Sequence, residues 1–362
     1  MRTEEESMKT WEKYIRRVEP YIPGEQPEGN DIIKLNTNEN PYPPAPEVIR
    51  AGQELPVDRL SRYPDPEASI LRKALAERYG LSQEEIFVGV GSDDVLGMAF
   101  LTFFNSEKPI LFPNITYSFY EVWAELFGIP YERPELTRDF HICTEDYKRE
   151  NGGIVLANPN APTSVFEPLS WIEDIVRANQ DSVVIIDEAY IDFGGQSSRE
   201  LLSRYDNLLV VQTFSKSRSL AGMRIGFAMG SRKLIKAMND VKYSYNSYTM
   251  SQVALLMGEA SVRAEAYFQE TTKRIMETRE WLKAELRRLG FSFPDSMTNF
   301  LFITHEEIEA EKLFLWLKEQ KIYVRYFKKP LLSEYLRVTI GAREDMDIFV
   351  AKVREYISSQ KR

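Results

Sequence analysis

The chain has one cysteine, two histidines, no excess of positive charge and no apolar run near the ~18 residues that a membrane crossing takes. Each scarcity removes a class of function. Cys143 alone cannot form an intramolecular disulfide, which suits a reducing compartment. His141 and His305 are too few for a multi-histidine metal centre, so no metal is expected. With a net charge of −9 and Lys and Arg interspersed among Asp and Glu, a nucleic-acid partner is disfavoured. The opening residues Met1-Arg2-Thr3-Glu4-Glu5-Glu6 are acidic and carry no secretory apolar stretch. A cytoplasmic protein with no membrane partner is expected.

What is present suits a well-packed protein of more than one domain. The 362 residues, 43% of them hydrophobic, suggest about two domains. From about Ile86 to Ala237, short apolar runs alternate with helical patterns. This predicts an α/β domain with a mainly parallel, doubly wound sheet. Its expected strands are Ile86–Val90, Pro109–Phe112, Ile154–Ala157, Val183–Ile186 and Leu208–Thr213, with another beginning after Arg224. Such sheets hold ligands at the carboxyl ends of their strands. The polar turns Gly91-Ser92-Asp93-Asp94, Thr116-Tyr117, Asn158–Ser164, Asp187–Tyr190 and Thr213–Lys216 all fall there.

Two of these residues are costly where they stand. Asp187 ends a wholly apolar strand and needs a cationic partner to stay ionised. Lys216 sits at the mouth of a buried strand beside Thr213, Ser215 and Arg224. It either runs its stem along apolar surface to reach water, or is an amine that condenses with an aldehyde while its neighbours grip a phosphate. The Gly91 turn is likewise either a plain connection or an anion cradle at a helix N-terminus. Tyr117 either joins the core or stacks on a planar ring.

Outside the sheet, Trp11, Tyr14, Ile15 and Val18 recur at helical spacing and predict an amphipathic helix laid on a surface. The Asn- and Pro-rich stretch Ile32–Pro44 reads as an extended loop, a linker or a cover over a polar ligand. Asp65 is expected to cap a helix that runs from Pro66 to Tyr79, and Thr116 to cap the helix that follows it. A helical tract from about Met250 to Leu289, broken near Arg263, leads to an α+β end piece. Arg337 lies inside an apolar strand of that piece, where a buried carboxylate or a substrate's carboxylate would satisfy it. The expected division is 1–45 as an N-terminal arm, 46–255 as the large domain and 256–362 as the small α+β domain.

Asp187-Glu188-Ala189-Tyr190, Ser215-Lys216 and Leu220–Arg224 together resemble the fold-type I aminotransferases that use pyridoxal 5'-phosphate. Within them the chain is similar to the histidinol-phosphate aminotransferases, matching them in order at Leu35–Tyr42, Gly91–Asp94, Asn158–Asn160 and Leu336–Gly341. The resemblance implies that Lys216 bonds to the cofactor aldehyde and moves the substrate proton, that Asp187 keeps the ring nitrogen protonated, and that Tyr190 hydrogen-bonds the phenolic oxygen. Tyr117 would stack on the ring. The backbone N–H groups of Ser92 and Asp93, with Thr213, Ser215 and Arg224, would hold the phosphate, which Tyr63 of a second subunit would reach in a homodimer. Arg337 would grip a carboxylate of the oxo acid, and Tyr21 and Arg325 the substrate's phosphate or side chain.

Two departures stand out. Ala161 replaces the asparagine that usually meets the phenolic oxygen, leaving either Asn160 as the substitute or Tyr190 to act alone. Arg218-Ser219 follows the lysine, a charge able to alter which substrate fits. The expected reaction is transamination of L-histidinol phosphate with 2-oxoglutarate, as a step of histidine biosynthesis. The alternatives are an aromatic amino acid aminotransferase, a threonine-phosphate decarboxylase and a cofactor-binding protein without turnover.

Overall fold

A computed structural model describes residues 9–29 and 31–360. In chain order it begins with β1 (Ile33–Lys34), α1 (Pro46–Gln53), α2 (Ser69–Tyr79), β2 (Ile86–Gly89), α3 (Gly91–Phe103), β3 (Ile110–Leu111), α4 (Phe119–Phe127) and β4 (Tyr131–Glu132). Next come β5 (Gly153–Ala157), α5 (Leu169–Ala178), β6 (Val184–Asp187), β7 (Leu208–Thr213), β8 (Gly226–Gly230), α6 (Arg232–Tyr245), α7 (Gln252–Arg263) and α8 (Glu265–Arg288). The chain closes with β9 (Phe291–Ser292), β10 (Phe300–His305), α9 (Ala310–Glu319), β11 (Ile322–Tyr323), β12 (Arg325–Tyr326), β13 (Leu336–Thr339) and α10 (Arg343–Gln360).

Seven strands form one sheet in the order β2-β8-β7-β6-β5-β3-β4. From β7 to β4 neighbours run parallel, and β8 lies antiparallel between β2 and β7. The strand period of two explains why both faces are apolar. Val184 and Ile186 of β6, with Leu208 and Val210 of β7, enter the core on one face, while Ile185, Leu209 and Val211 enter the core on the other. The strands end together, which sets Ala157, Asp187 and Val211 side by side in register. Four strands, β12-β13-β10-β9, form a second, antiparallel sheet with its own core of Phe300, Leu301, Leu336, Val338 and Phe349. The short β1 pairs in parallel with β11, so the N-terminal segment runs along this smaller region.

Several local expectations change. Residues 10–14 make only one 3-10 turn, and Trp11, Tyr14, Ile15 and Val18 are 60%, 83%, 53% and 42% exposed. Without an apolar surface against it, so short a segment gains too little to hold a longer helix. The helix after Asp65 begins at Ser69, not Pro66, and Asp65 Oδ2 accepts from the Ser69 N–H at 2.8 Å. Thr116 does not cap α4; its hydroxyl donates to Asn160 Oδ1 at 2.8 Å. The stretch 322–327 splits, β11 pairing with β1 and β12 with β13. The expected boundary at 255 falls inside α7, and both Val262 of α7 and Ala264 just after it pack into the large core. Tyr267, in the first turn of α8, still packs against the large core, and Ile275, Leu282 and Leu286 further along α8 join the small core.

Candidate active site

Asp187, at the end of β6, is buried. Tyr120 Oη donates to its Oδ2 at 2.8 Å and the Ala189 N–H to its Oδ1 at 3.2 Å. Among the described residues no cation pairs with it, and burial pushes its carboxyl up to about 6, against the pull of those two hydrogen bonds. Burial, with Asp187 alongside, keeps the Tyr120 phenol well above its ordinary value, so it stays a donor. The next residue, Glu188, points to the other face and is held by Ser197, Ser198 and Gln212. It is structural.

Beyond β7, the chain turns so that Lys216 Nζ donates to the Thr37 carbonyl at 3.1 Å and lies 6.0 Å from the centre of the Tyr190 ring. Asn40 Nδ2 fixes that turn from above, donating to the Lys216 and Ser217 carbonyls at 3.0 and 3.2 Å. Tyr190 Oη accepts from Asn38 Nδ2 at 2.9 Å. The Asn-rich loop is therefore a cover: Asn36, Thr37, Asn38 and Asn40 each bond a residue of the site.

On one side of Lys216 lies a polar cradle. Thr213 Oγ1 donates to Ser215 Oγ at 3.0 Å, and Arg224 reaches Ser215 Oγ at 3.4 Å and Asp93 Oδ2 at 3.3 Å. Tyr117 Oη donates to Asp93 Oδ1 at 2.8 Å. Two glycines make this closeness possible. A Cβ at Gly91, whose φ is +85°, would sit 2.5 Å from Arg224 Nη2, and one at Gly226 would sit 2.3 Å from Ser92 N. The free N–H groups of the first turn of α3 meet Arg224 here, a donor set for an anion.

On the other side Arg325 and Arg337 face each other in register across β12 and β13. Arg337 Nη2 donates to the Asn36 carbonyl at 2.8 Å, its Nε is buried without a partner, and neither arginine has an acidic partner among the described residues. Burial, with the like charge of Arg325 opposite, pulls the Arg337 guanidinium below its ordinary value. Tyr21 stacks on Phe119 with centroids 4.3 Å apart.

A family model described as aminotransferase class I and II matches residues 30–353. The chain belongs to the class I and II aminotransferases. A histidinol-phosphate aminotransferase of Clostridium botulinum is 49% identical over 97% of this chain and 99% of its own length. One from Lactococcus lactis subsp. cremoris is 49% identical over 98% of this chain and 99% of its own. The crystal structure of histidinol-phosphate aminotransferase from Sinorhizobium meliloti in complex with pyridoxal-5'-phosphate covers 91% of this chain and 92% of its own at TM-score 0.83 and 24% identity, a shared fold.

In this aminotransferase the residues fit a pyridoxal phosphate. Asp187 lacks the cation that a protonated ring nitrogen supplies, the glycine-lined cradle suits a phosphate, and Lys216 stands beside Tyr190. Two expectations need correction. Asn160 cannot serve the phenolic oxygen, because Nδ2 donates to the Ile115 carbonyl and to Thr163 Oγ1, both at 2.9 Å, and no hydrogen remains. Arg218 does not charge the site: it is 7% exposed, donates to the Ser261 carbonyl at 2.7 Å and lies 4.2 Å from the Phe268 ring centre. Tyr63, expected to reach the phosphate of a second subunit, is 81% exposed in this chain and stacks on Tyr248 with centroids 4.6 Å apart. Tyr120 escaped the sequence reading, which took the Asn-rich loop for a linker or a cover without giving its single residues a role. Tyr120 carries no signal beyond that of a core aromatic, whereas the repeated Asn in Leu35–Asn40 was one.

Proposed function

We propose that this chain transaminates L-histidinol phosphate with 2-oxoglutarate, giving imidazole acetol phosphate and glutamate, with pyridoxal phosphate as cofactor. The bound cofactor supplies an aldehyde that exchanges amines and a cationic ring that withdraws electrons. Asp187 carries that reading. A buried carboxylate with no cation beside it holds a proton on the ring nitrogen, and so maintains the ring as an electron sink. Lys216 would hold the cofactor through its aldehyde and, with its amine free, would move the proton at the substrate Cα. Tyr190 donates to the phenolic oxygen, and Tyr117 covers the ring. Thr213, Ser215, Arg224 and the Ser92 and Asp93 N–H groups retain the phosphate.

Arg325 and Arg337 choose the substrate. Two guanidinium groups without an acid suit a phosphate dianion on the amine, and Arg337 then takes a carboxylate of the oxo acid by its planar fork. Tyr21 covers this pocket. In this reading the large α/β domain holds the cofactor, and the small α+β domain with the N-terminal arm closes on the substrate. The working unit is a homodimer: Trp11, Tyr14, Ile22, Val57, Leu60 and Tyr63 expose apolar surface, and Tyr63 reaches the neighbouring phosphate. No described helix is long and apolar enough to cross a membrane, in keeping with a cytoplasmic setting.

The test is the purified enzyme with 2-oxoglutarate and a panel of histidinol phosphate, phenylalanine, tyrosine and threonine phosphate, following glutamate and CO2. Glutamate without CO2 is expected, with kcat/KM for histidinol phosphate ahead of phenylalanine by about 10²-fold or more. CO2 from threonine phosphate, or equal use of phenylalanine, contradicts the assignment.

A further inference from the structure

Ala161 offers no amide, and Asn160 beside it has no hydrogen to spare. Some other group must fix the direction of the Tyr190 hydroxyl, since a phenol has one hydrogen and can point it toward any acceptor in reach. Asn38 is 1% exposed and adopts φ 56°, a left-handed conformation to which asparagine is better suited than most residues. Each of its polar atoms is held. The Asn38 N–H donates to Thr339 Oγ1 at 3.0 Å, and that hydroxyl donates back to Asn38 Oδ1 at 3.1 Å. Asn299 Nδ2 donates to the Asn38 carbonyl at 3.0 Å. With Oδ1 taken by Thr339, the amide turns its NH2 group toward the site, where Nδ2 donates to Tyr190 Oη at 2.9 Å.

We infer that Asn38 is a positioning residue for the reaction: by donating to Tyr190 it compels the Tyr190 hydroxyl to donate to the phenolic oxygen of the bound cofactor, replacing through one intermediary the amide that Ala161 lacks. The inference rests on the reading of Lys216, Asp187 and Tyr190 as cofactor-binding residues. It also gives the small region a hold on the cofactor, because Thr339 lies on β13, the strand that carries Arg337. Asn38 acts through the Tyr190 hydroxyl, so its effect is read there.

The test is the pH titration of the bound cofactor's absorbance in holoenzyme carrying Asn38→Asp, Tyr190→Phe or both. Asn38→Asp keeps the size, tolerates the same backbone and offers Tyr190 an acceptor in place of a donor. The tyrosine hydrogen then turns away, the phenolic oxygen loses a donor and holds its neighbouring proton more tightly, and the midpoint rises by about one pH unit. Tyr190→Phe raises it as far, and the double variant goes no further than Tyr190→Phe alone. Asn38→Gly, which keeps the left-handed backbone and deletes the amide, moves the midpoint the same way by less, and serves if the buried aspartate prevents folding. An unchanged midpoint in both Asn38 variants, or an Asn38 shift that adds in full to that of Tyr190→Phe, overturns the inference. A wild-type protein with no cofactor absorbance, or a Tyr190→Phe titration identical to wild type, overturns the underlying reading instead.

Discussion

The two walls of the site are built differently. The sheet-edge wall, with Asp187, Thr213, Ser215, Lys216 and Arg224, consists of side chains at strand ends and in the turn between β7 and β8, anchored on a buried, mainly parallel sheet. The opposite wall is a loop, and it works partly through its backbone: the carbonyls of Asn36 and Thr37 take Arg337 and Lys216, while the amides of Asn38 and Asn40 take Tyr190 and the lysine turn. The difference teaches that a strand-end wall supplies chemistry, whereas a loop wall supplies direction. Substitutions on the first should remove steps; those on the second should shift midpoints and affinities.

The largest effect expected is at Lys216. Lys216→Ala should lower kcat by about 10⁴-fold or more while the protein keeps its circular dichroism spectrum, since both the covalent anchor and the proton carrier go at once. A loss of only tenfold would place the lysine on the supporting side of the comparison.

Asp187→Asn comes next. Cofactor should remain bound by its phosphate cradle while kcat falls by about 10²–10³-fold, the size of effect seen when one preorganised electrostatic partner is removed. A pH signature accompanies it. The unfolded Asp187 carboxyl titrates near 3.8 and the folded one at about 6, so the folded cofactor-free protein binds the extra proton. Its contribution to stability is complete below pH 3.8 and is lost as pH rises through about 6, costing roughly 3 kcal/mol once the carboxylate is ionised. Thermal scans of cofactor-free protein should show a fall in Tm across this interval that Asp187→Asn reduces and added pyridoxal phosphate reverses. Glu188, pushed up to about 7 by burial, adds a part of the fall that the cofactor leaves in place. An Asp187→Asn protein with the wild-type slope would contradict the proposed electrostatics.

Smaller effects belong to the binding residues. Arg337→Ala should raise KM for 2-oxoglutarate by about 10–10²-fold, more than for histidinol phosphate, which Arg325 also holds. Equal losses on both substrates would merge the two arginines into one function. Tyr63→Phe, reaching across the proposed dimer, should weaken cofactor retention by only a few-fold, the worth of one hydrogen bond. If dialysis removes cofactor from that variant no faster than from wild type, Tyr63 serves the interface alone.

The sheet-edge wall was legible in the sequence for a physical reason. Buried parallel strands are continuous apolar runs, so a polar residue ending one, such as Asp187 or Lys216, stands out against its surroundings. The loop was legible as a linker or a cover, but which of its groups make the contacts was not, because an acceptor such as the Thr37 carbonyl has no side chain to announce it. Tyr120 was hidden for the converse reason: a phenol that spends its hydrogen on Asp187 looks like any core aromatic. The N-terminal spacing of Trp11, Tyr14, Ile15 and Val18 misled because periodicity records an apolar face without recording what covers it. Asn160 misled because proximity in sequence to Ala161 says nothing of where its hydrogens are already engaged.

One measurement tests the central claim most directly. Holoenzyme reduced with borohydride and digested should yield a single cofactor-labelled peptide, the one that carries Lys216, and Asp187→Asn protein should yield the same. A label on any other lysine, or no label in protein that turns over substrate, would contradict the account.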